Sequence, residues 1–312
     1  MNVVAMVTYN RPWLLKINLE ILLSQPTVNQ YDYIFSTDYG YDPEIPKIVN
    51  WFAQESKTSV LFNINSTRES SLPAFDNIMR LYRKAADHAT DYVLIMEEDI
   101  IPTLDYLRFN NEVYNNFLVK YDRIFCLCHK RRPETELIGK HDILIGDYQL
   151  TSPSCISKKN IHKYINPELL HPAFFKNQAL YNTLVHPMHR NNPNHHIHHD
   201  GQLERIADLH KLFSLKPDQA RSMHVGIGGI NCSGKLTGTF DELYNKFKTL
   251  IINNDGETLR SYEPTFKRDM CIAPLNTKWT DLKLDIDRTL STASSWSFDP
   301  FNEFSKYIKE TN

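Results

Sequence analysis

The chain has 312 residues, 41% of them hydrophobic and 12% aromatic, with a formal net charge of -2. That is enough for one sizeable domain or two modest ones around a large core. Without a long block of one sign, charge gives no argument for duplex DNA or an anionic membrane surface as the main partner, although a local basic groove stays open.

The N-terminus, Met1 to Val7, has no basic n-region and no small-residue cleavage site, so it does not read as a signal peptide. No stretch approaches the ~18 apolar residues of a membrane span. The five cysteines (Cys126, Cys128, Cys155, Cys232, Cys271) show no paired metal spacing. The expectation is a cytoplasmic protein with reduced thiols.

Val3 to Val7 reads as a buried strand. Asn10, Arg11 and Pro12 break it and start a helix, with Asn10 as the candidate cap and Pro12 in the first turn. Trp13, Ile17 and Ile21 repeat at four-residue spacing along that helix. Tyr33 to Ser36 reads as a second strand ending at Asp38, and Val60 to Phe62 as a third. Residues 74–88 are helical in pattern. Tyr92 to Met96 is the next strand, followed by a helix carrying Leu104, Leu107 and Val113. Arg123 to Cys128 is a further strand. This alternation predicts an α/β fold with right-handed crossovers and a mostly parallel central sheet flanked by helices. Ligands on such sheets bind at the carboxyl ends of the strands, where Asn10, Arg11, Asp38 and the acidic run Glu97, Glu98 and Asp99 all fall.

Past residue 150 the pattern loosens. Residues 171–200 are rich in His, Asn and Pro. Gly201 to Phe213 is helical in pattern, and residues 225–238 hold five of the ten glycines. No repeat or linker is visible. The expected organisation is one domain over residues 1–250 with an elaborated second half, and a 251–312 extension packed on it.

Five apolar residues, Tyr92 to Met96, run directly into Glu97, Glu98 and Asp99. Three adjacent carboxylates repel one another, and burial adds a desolvation cost. A divalent cation such as Mg²⁺ or Mn²⁺ is the simplest compensation, held by one or two carboxylates plus substrate phosphates. A solvated acidic turn is the plainer reading.

In this order and spacing, several pieces resemble a nucleotide-sugar glycosyltransferase of the GT-A fold, and among these the N-acetylglucosaminyltransferase I family. Thr8, Tyr9, Asn10, Arg11 and Pro12 resemble the opening strand and turn. Phe35 to Gly40, with Asp38, resembles the second strand near the nucleobase. Glu97, Glu98 and Asp99 resemble the Glu-Asp-Asp metal motif. His199 to Arg205, with Asp200, falls where the family has a catalytic aspartate opening a helix. The likeness spans roughly residues 3–250.

The resemblance implies a metal-dependent inverting transferase that moves a sugar from a nucleotide-sugar, a UDP-sugar first, to an acceptor hydroxyl. Asp99 is then the ligand of Mn²⁺ or Mg²⁺, which neutralises the leaving diphosphate. Glu97 and Glu98 would hold water, ribose or sugar hydroxyls. Arg11 would pair with the diphosphate, with a surface ion pair as its plainer role. Asp38 would accept from the uracil imide or a ribose hydroxyl, or simply close a turn. Thr8 and Asn10 line the same donor site. Asp200 would be the general base, its plainer role being a helix N-cap.

Gly229 to Lys235 satisfies seven positions of a P-loop, but the eighth is Leu236 where Ser or Thr must reach Mg²⁺. The resemblance implies instead a lid over the donor, with Gly229, Ser233 and Lys235 facing the phosphates. Family members carry a membrane anchor, and none is visible here. The acceptor therefore stays open among a glycan precursor, a protein and a hydroxylated DNA base, the last needing local positive charge such as Lys130, Arg131 and Arg132.

Two rivals remain at this point. His186, His189, His195, His196, His198 and His199 fall within fourteen positions and suit a zinc-dependent hydrolase, though without the ordered zincin helix. A GT-A-like protein that only binds is the other.

Overall fold

Successive residues of the first strands point to opposite sides of one sheet, and both sides are buried. In β1 (Asn2–Thr8), β2 (Tyr31–Asp38) and β4 (Tyr92–Glu97), Val4, Met6, Tyr33, Phe35, Leu94 and Met96 enter one core. Val3, Ala5, Ile34, Val93 and Ile95 enter the other. Strands apolar on both faces need helices on both faces. On the first face lie α1 (Pro12–Leu23), α2 (Glu44–Ser56) and α4 (Tyr106–Val113); on the second lie α3 (Pro73–His88) and α5 (Lys158–Tyr164).

The computed structural model describes residues 1–65, 73–129, 143–146, 154–165, 203, 206–207, 210–217, 220–226, 236–262, 284–286 and 306. Its remaining strands are β3 (Val60–Asn65), β5 (Ile100–Pro102), β6 (Ile124–Cys128), β7 (Ile143–Gly146), β8 (Ser154–Ser157), β9 (Phe213–Pro217), β10 (Ser222–His224) and β11 (Leu284–Ile286). Two further helices are α6 (Phe240–Ile252) and α7 (Gly256–Ser261).

Among the described residues, nine strands form the main sheet in the order β11-β7-β9-β6-β8-β4-β1-β2-β3. β1 is parallel to β2 and β4, β2 to β3, β6 to β9, and β7 to β11. The exceptions are β8, antiparallel to both β4 and β6, and the antiparallel β7–β9 pair. This is the α/β class with a mostly parallel, helix-flanked sheet that the strand–helix alternation predicts. β5 and β10 pair antiparallel as a separate small sheet.

α1 is apolar nearly all round because it packs twice. Leu15, Leu19 and Leu22 face the main sheet. Trp13, Leu14, Ile17 and Ile21 face the small sheet and α6 through Ile101, Met223, Val225, Phe247 and Ile251. Trp13 and Phe247 stack with ring centroids 4.6 Å apart. α6 opens with a capping box in which the Thr239 side chain accepts from the Glu242 amide and Glu242 accepts from the Thr239 N–H.

Two local expectations change. The cap of α1 is Arg11 rather than Asn10, because Pro12 occupies the first helical position and the Arg11 carbonyl accepts from the Leu15 N–H at 3.1 Å. Phe213 begins β9 instead of ending a helix. Pairing with β6 along Ile124–Phe213 and Leu127–Leu215 outweighs the helical spacing of the preceding residues.

Candidate active site

The order β4-β1-β2-β3 means that the chain leaves β1 toward one edge of the sheet and returns on its other side. The crevice between the carboxyl ends of β1 and β4 is therefore a topological switch point, where open α/β sheets bind ligands. The last paired residues are Val7 and Glu97. Just beyond them, the Glu98 N–H donates to the Val7 carbonyl at 3.0 Å, and the Tyr9 N–H donates to Glu98 Oε2 at 2.5 Å.

Arg11 spans the next two carboxylates. Its Nε donates to Glu98 Oε1 at 2.8 Å, and its Nη1 to Asp99 Oδ2 at 2.7 Å. The Arg11 side chain is 14% exposed, against 2% and 3% for the Glu98 and Asp99 side chains. His224 reaches the same carboxylate, its Nε2 lying 3.2 Å from Asp99 Oδ2. The second oxygen, Asp99 Oδ1, is buried with no hydrogen-bond partner among the described residues.

Burial alone would lower the Arg11 pKa, but the charges of Asp99 and then Glu98 outweigh it and hold the guanidinium firmly protonated. Burial alone would raise the Asp99 pKa. The Arg11 charge and then His224 outweigh that and hold the carboxyl well below the usual carboxylate range.

The acidic run is fixed from below as well. Asn18, buried on α1, donates its amide to the Ile100 carbonyl and, at 3.5 Å, to the Glu97 carbonyl. β10 adds a clamp from the other side, with the Val225 N–H donating to the Asp99 carbonyl at 3.0 Å. Gly226 follows at φ +65°, a left-handed backbone that glycine adopts without strain.

The structure thus brings together Arg11, Glu97, Glu98 and Asp99. Glu98 turns inward, both of its oxygens engaged by Tyr9 and Arg11. Glu97 is half-buried, and Asn10 is exposed. Thr8 is buried, and its hydroxyl donates to the Ser36 carbonyl at 3.5 Å. Asp38 closes β2 one position past the Thr8–Thr37 pair and is half-buried; its strand pairs with β1 on the side away from β4. Asp200, Gly229, Ser233, Lys235 and the 186–199 histidines lie outside the described residues.

Sequence reading missed His224 and Asn18. His224 stands alone in its segment and meets Asp99 only through the β5–β10 register, which pairs it with Ile100. Asn18 carries a faint signal, being a polar residue set between Ile17 and Leu19 on an apolar helix.

Among the described residues, no group of three or more His, Cys, Asp or Glu side chains is arranged to hold a metal ion. The donors that are present still suit an ion of the Mg²⁺ or Mn²⁺ kind, which takes only one or two protein ligands beside substrate phosphates. Asp99 Oδ1 is an unpartnered hard oxygen, and the His224 ring nitrogen lies 3.2 Å from the other oxygen of the same carboxylate, Oδ2. No helix among the described residues is long and apolar enough to cross a membrane.

No known protein family matches the sequence, and no curated protein does. Solved structures of similar shape include S. aureus TarS residues 1-349 in complex with UDP-GlcNAc, with a TM-score of 0.43 and 12% identity over 84% of this chain and 71% of that one. The same protein in complex with UDP gives a TM-score of 0.44 and 11% identity over 71% and 60%. A mannosyltransferase, PcManGT from Pyrobaculum calidifontis, in complex with GDP-Man and Mn²⁺, gives 0.33 and 17% over 42% and 36%. A longer S. aureus TarS structure gives 0.40 and 12% over 54% of this chain, of which the matched part spans 31% of TarS.

Proposed function

We propose that the chain is a GT-A-type glycosyltransferase that takes a nucleotide-sugar, a UDP-sugar first, and inverts the anomeric centre as it passes the sugar to an acceptor hydroxyl. One observation carries the reading: a three-carboxylate run and a half-buried arginine meet at the switch point between β1 and β4. That is where a phosphorylated ligand is expected on such a sheet, and the charge pattern suits a diphosphate with a divalent cation.

Asp99, with His224 beside it, would hold Mn²⁺ or Mg²⁺. Bound there, the cation supplies positive charge to the leaving diphosphate. Glu98 and Asn18 keep Asp99 in place. Asp38, at the neighbouring strand end, is the candidate partner of the nucleoside. Asp200 is the candidate general base that takes the acceptor proton, and Gly229, Ser233 and Lys235 the candidate lid. The acceptor is a glycan precursor, a protein or a hydroxylated DNA base.

The test is a thermal-shift and sugar-release screen of UDP-, GDP-, ADP-, CMP- and dTDP-sugars with Mn²⁺ and with EDTA. Stabilisation by one nucleotide family that EDTA removes, and that Asp99→Asn abolishes, is the expected result. Transfer that survives Asp99→Asn unchanged would remove the metal role, and an absence of any nucleotide effect would overturn the reading.

A further inference from the structure

We infer that Arg11 is a displaceable internal counter-cation that makes uptake of the divalent ion at Asp99 conditional on a nucleoside diphosphate. The inference rests on the proposed donor site and goes beyond it to how that site is controlled. The geometry has three parts.

First, the position a cation would take at Asp99 Oδ2 is already held by a guanidinium at 2.7 Å. A divalent ion arriving alone must either push that positive charge aside or bind next to it, and like charges close together in a partly buried site repel strongly. Second, the anchor that survives such a move is Glu98. It has its own fixed bonds to the Tyr9 and Val7 backbone, so the carboxylate pair does not collapse when Nη1 leaves Asp99. Third, among the described residues the tip of Arg11 is held only by ion pairs to Glu98 and Asp99, which another anion can replace, while its backbone is fixed in the fold. Its carbonyl caps α1, and its side chain as a whole is more exposed than those of Glu98 and Asp99.

A diphosphate placed at the crevice gives the guanidinium a second anionic partner, one with the fork geometry arginine prefers. It also adds oxygens for the cation. Nucleotide and cation then bind as a unit, and the coupling is reciprocal: each raises the affinity of the other by the same factor. A donor site built this way stays free of metal until a donor arrives.

The test is calorimetric titration of Mn²⁺ into the full chain, alone and with saturating UDP, for the wild type, Arg11→Gln and Arg11→Lys. In the wild type, UDP should tighten Mn²⁺ binding about tenfold or more, within the usual range of coupling between sites. Arg11→Gln should bind Mn²⁺ alone about tenfold more tightly than the wild type and lose most of the coupling. Arg11→Lys keeps the charge and should keep weak Mn²⁺ binding in the absence of UDP. It also serves as the readout if Arg11→Gln fails to fold. Equal Mn²⁺ affinity with and without UDP in a wild type that does bind UDP, or no gain in Arg11→Gln, overturns the inference. If UDP binds to nothing while Arg11→Gln still gains Mn²⁺ affinity, the counter-cation role stands and the nucleotide-sugar reading falls.

Discussion

Among the described residues, two arginines with little exposure pair with carboxylates, and they differ in what surrounds them. Arg11 lies at a strand end at the edge of a crevice, forked between Glu98 and Asp99 at 2.8 and 2.7 Å. Arg221 lies deeper, 2% exposed, where its backbone links β6 to the small sheet. Its N–H donates to the His129 carbonyl at 3.3 Å, and its own carbonyl accepts from the Thr103 N–H and hydroxyl. Its guanidinium covers the Phe109 ring at 4.5 Å and meets Asp105 Oδ2 at 3.3 Å, a carboxylate that is 20% exposed. Arg11 faces more negative charge than it can neutralise. Arg221 meets the Asp105 carboxylate and covers an aromatic ring. The first arrangement leaves carboxylate charge that a cation can use once a diphosphate draws Arg11 away, and the second is a brace that holds β10, and with it His224, against the sheet.

The largest effect is expected at Arg11. Arg11→Gln leaves two buried carboxylates without their cation, which costs about 3–5 kcal/mol. If the site is a cation site, Mn²⁺ should return part of that stability to the mutant and add little to the wild type. Chemical denaturation with and without Mn²⁺ reads this directly. Equal Mn²⁺ effects in both proteins would make Arg11 as purely structural as Arg221.

Arg221→Met keeps the bulk over Phe109 and removes the charge. Because Asp105 is partly open to water, the loss should be smaller, about 1–3 kcal/mol. The Mn²⁺ and UDP titrations should hardly move. A large loss of Mn²⁺ affinity in this variant would merge the two regions, with Arg221 acting on His224 through β10.

Asn18→Leu should cost about 1–2 kcal/mol, since the Ile100 carbonyl and part of the Glu97 carbonyl lose their donor inside the protein. It should also weaken the coupled binding of Mn²⁺ and UDP without changing Mn²⁺ binding alone. The measurement is the same titration, and an unchanged coupling factor would show that the acidic run holds its shape without α1.

The two regions also differ in how far sequence revealed them. β1, β2 and β4 are legible because apolar residues such as Val3 to Met6 and Tyr92 to Met96 fill both faces of the sheet. The Arg11 site follows from them, since its residues sit where those runs stop. α2 was within reach of the same rules, as Ile45, Ile48, Val49 and Phe52 repeat at helical spacing. The Arg221 region was not. β8, β9 and β10 run three to five residues and bury Ser154, Ser214, Lys216 and Ser222, so their pattern is neither alternating nor apolar. What makes them strands is pairing with partners far along the chain, and this also brings His224 to Asp99. Composition carries no trace of such a register.

The smallest effect expected at neutral pH belongs to His129, and it isolates the Arg221 region by pH. The ring is fully buried. Its Nε2 lies 2.8 Å from Asn110 Oδ1, and its face lies against Tyr106, centroids 4.6 Å apart. Burial first, and the nearby Arg221 charge second, push its pKa down to about 3. An unfolded histidine titrates near 6.5. Between those values the unfolded chain binds a proton that the folded one does not, so folding weakens as the pH falls through 6.5. The loss grows by up to about 1.4 kcal/mol per pH unit until it levels off near pH 3. His129→Gln keeps a polar partner for Asn110 and removes that proton. Its stability at pH 7.5 should lie within about 1 kcal/mol of the wild type, and its acid limb should be flatter by one proton. Denaturant unfolding at half-unit steps from pH 7.5 to 4 measures the slope difference. Parallel limbs would mean that His129 takes up a proton in the fold, which the neighbouring Arg221 charge and the closed packing around the ring both oppose.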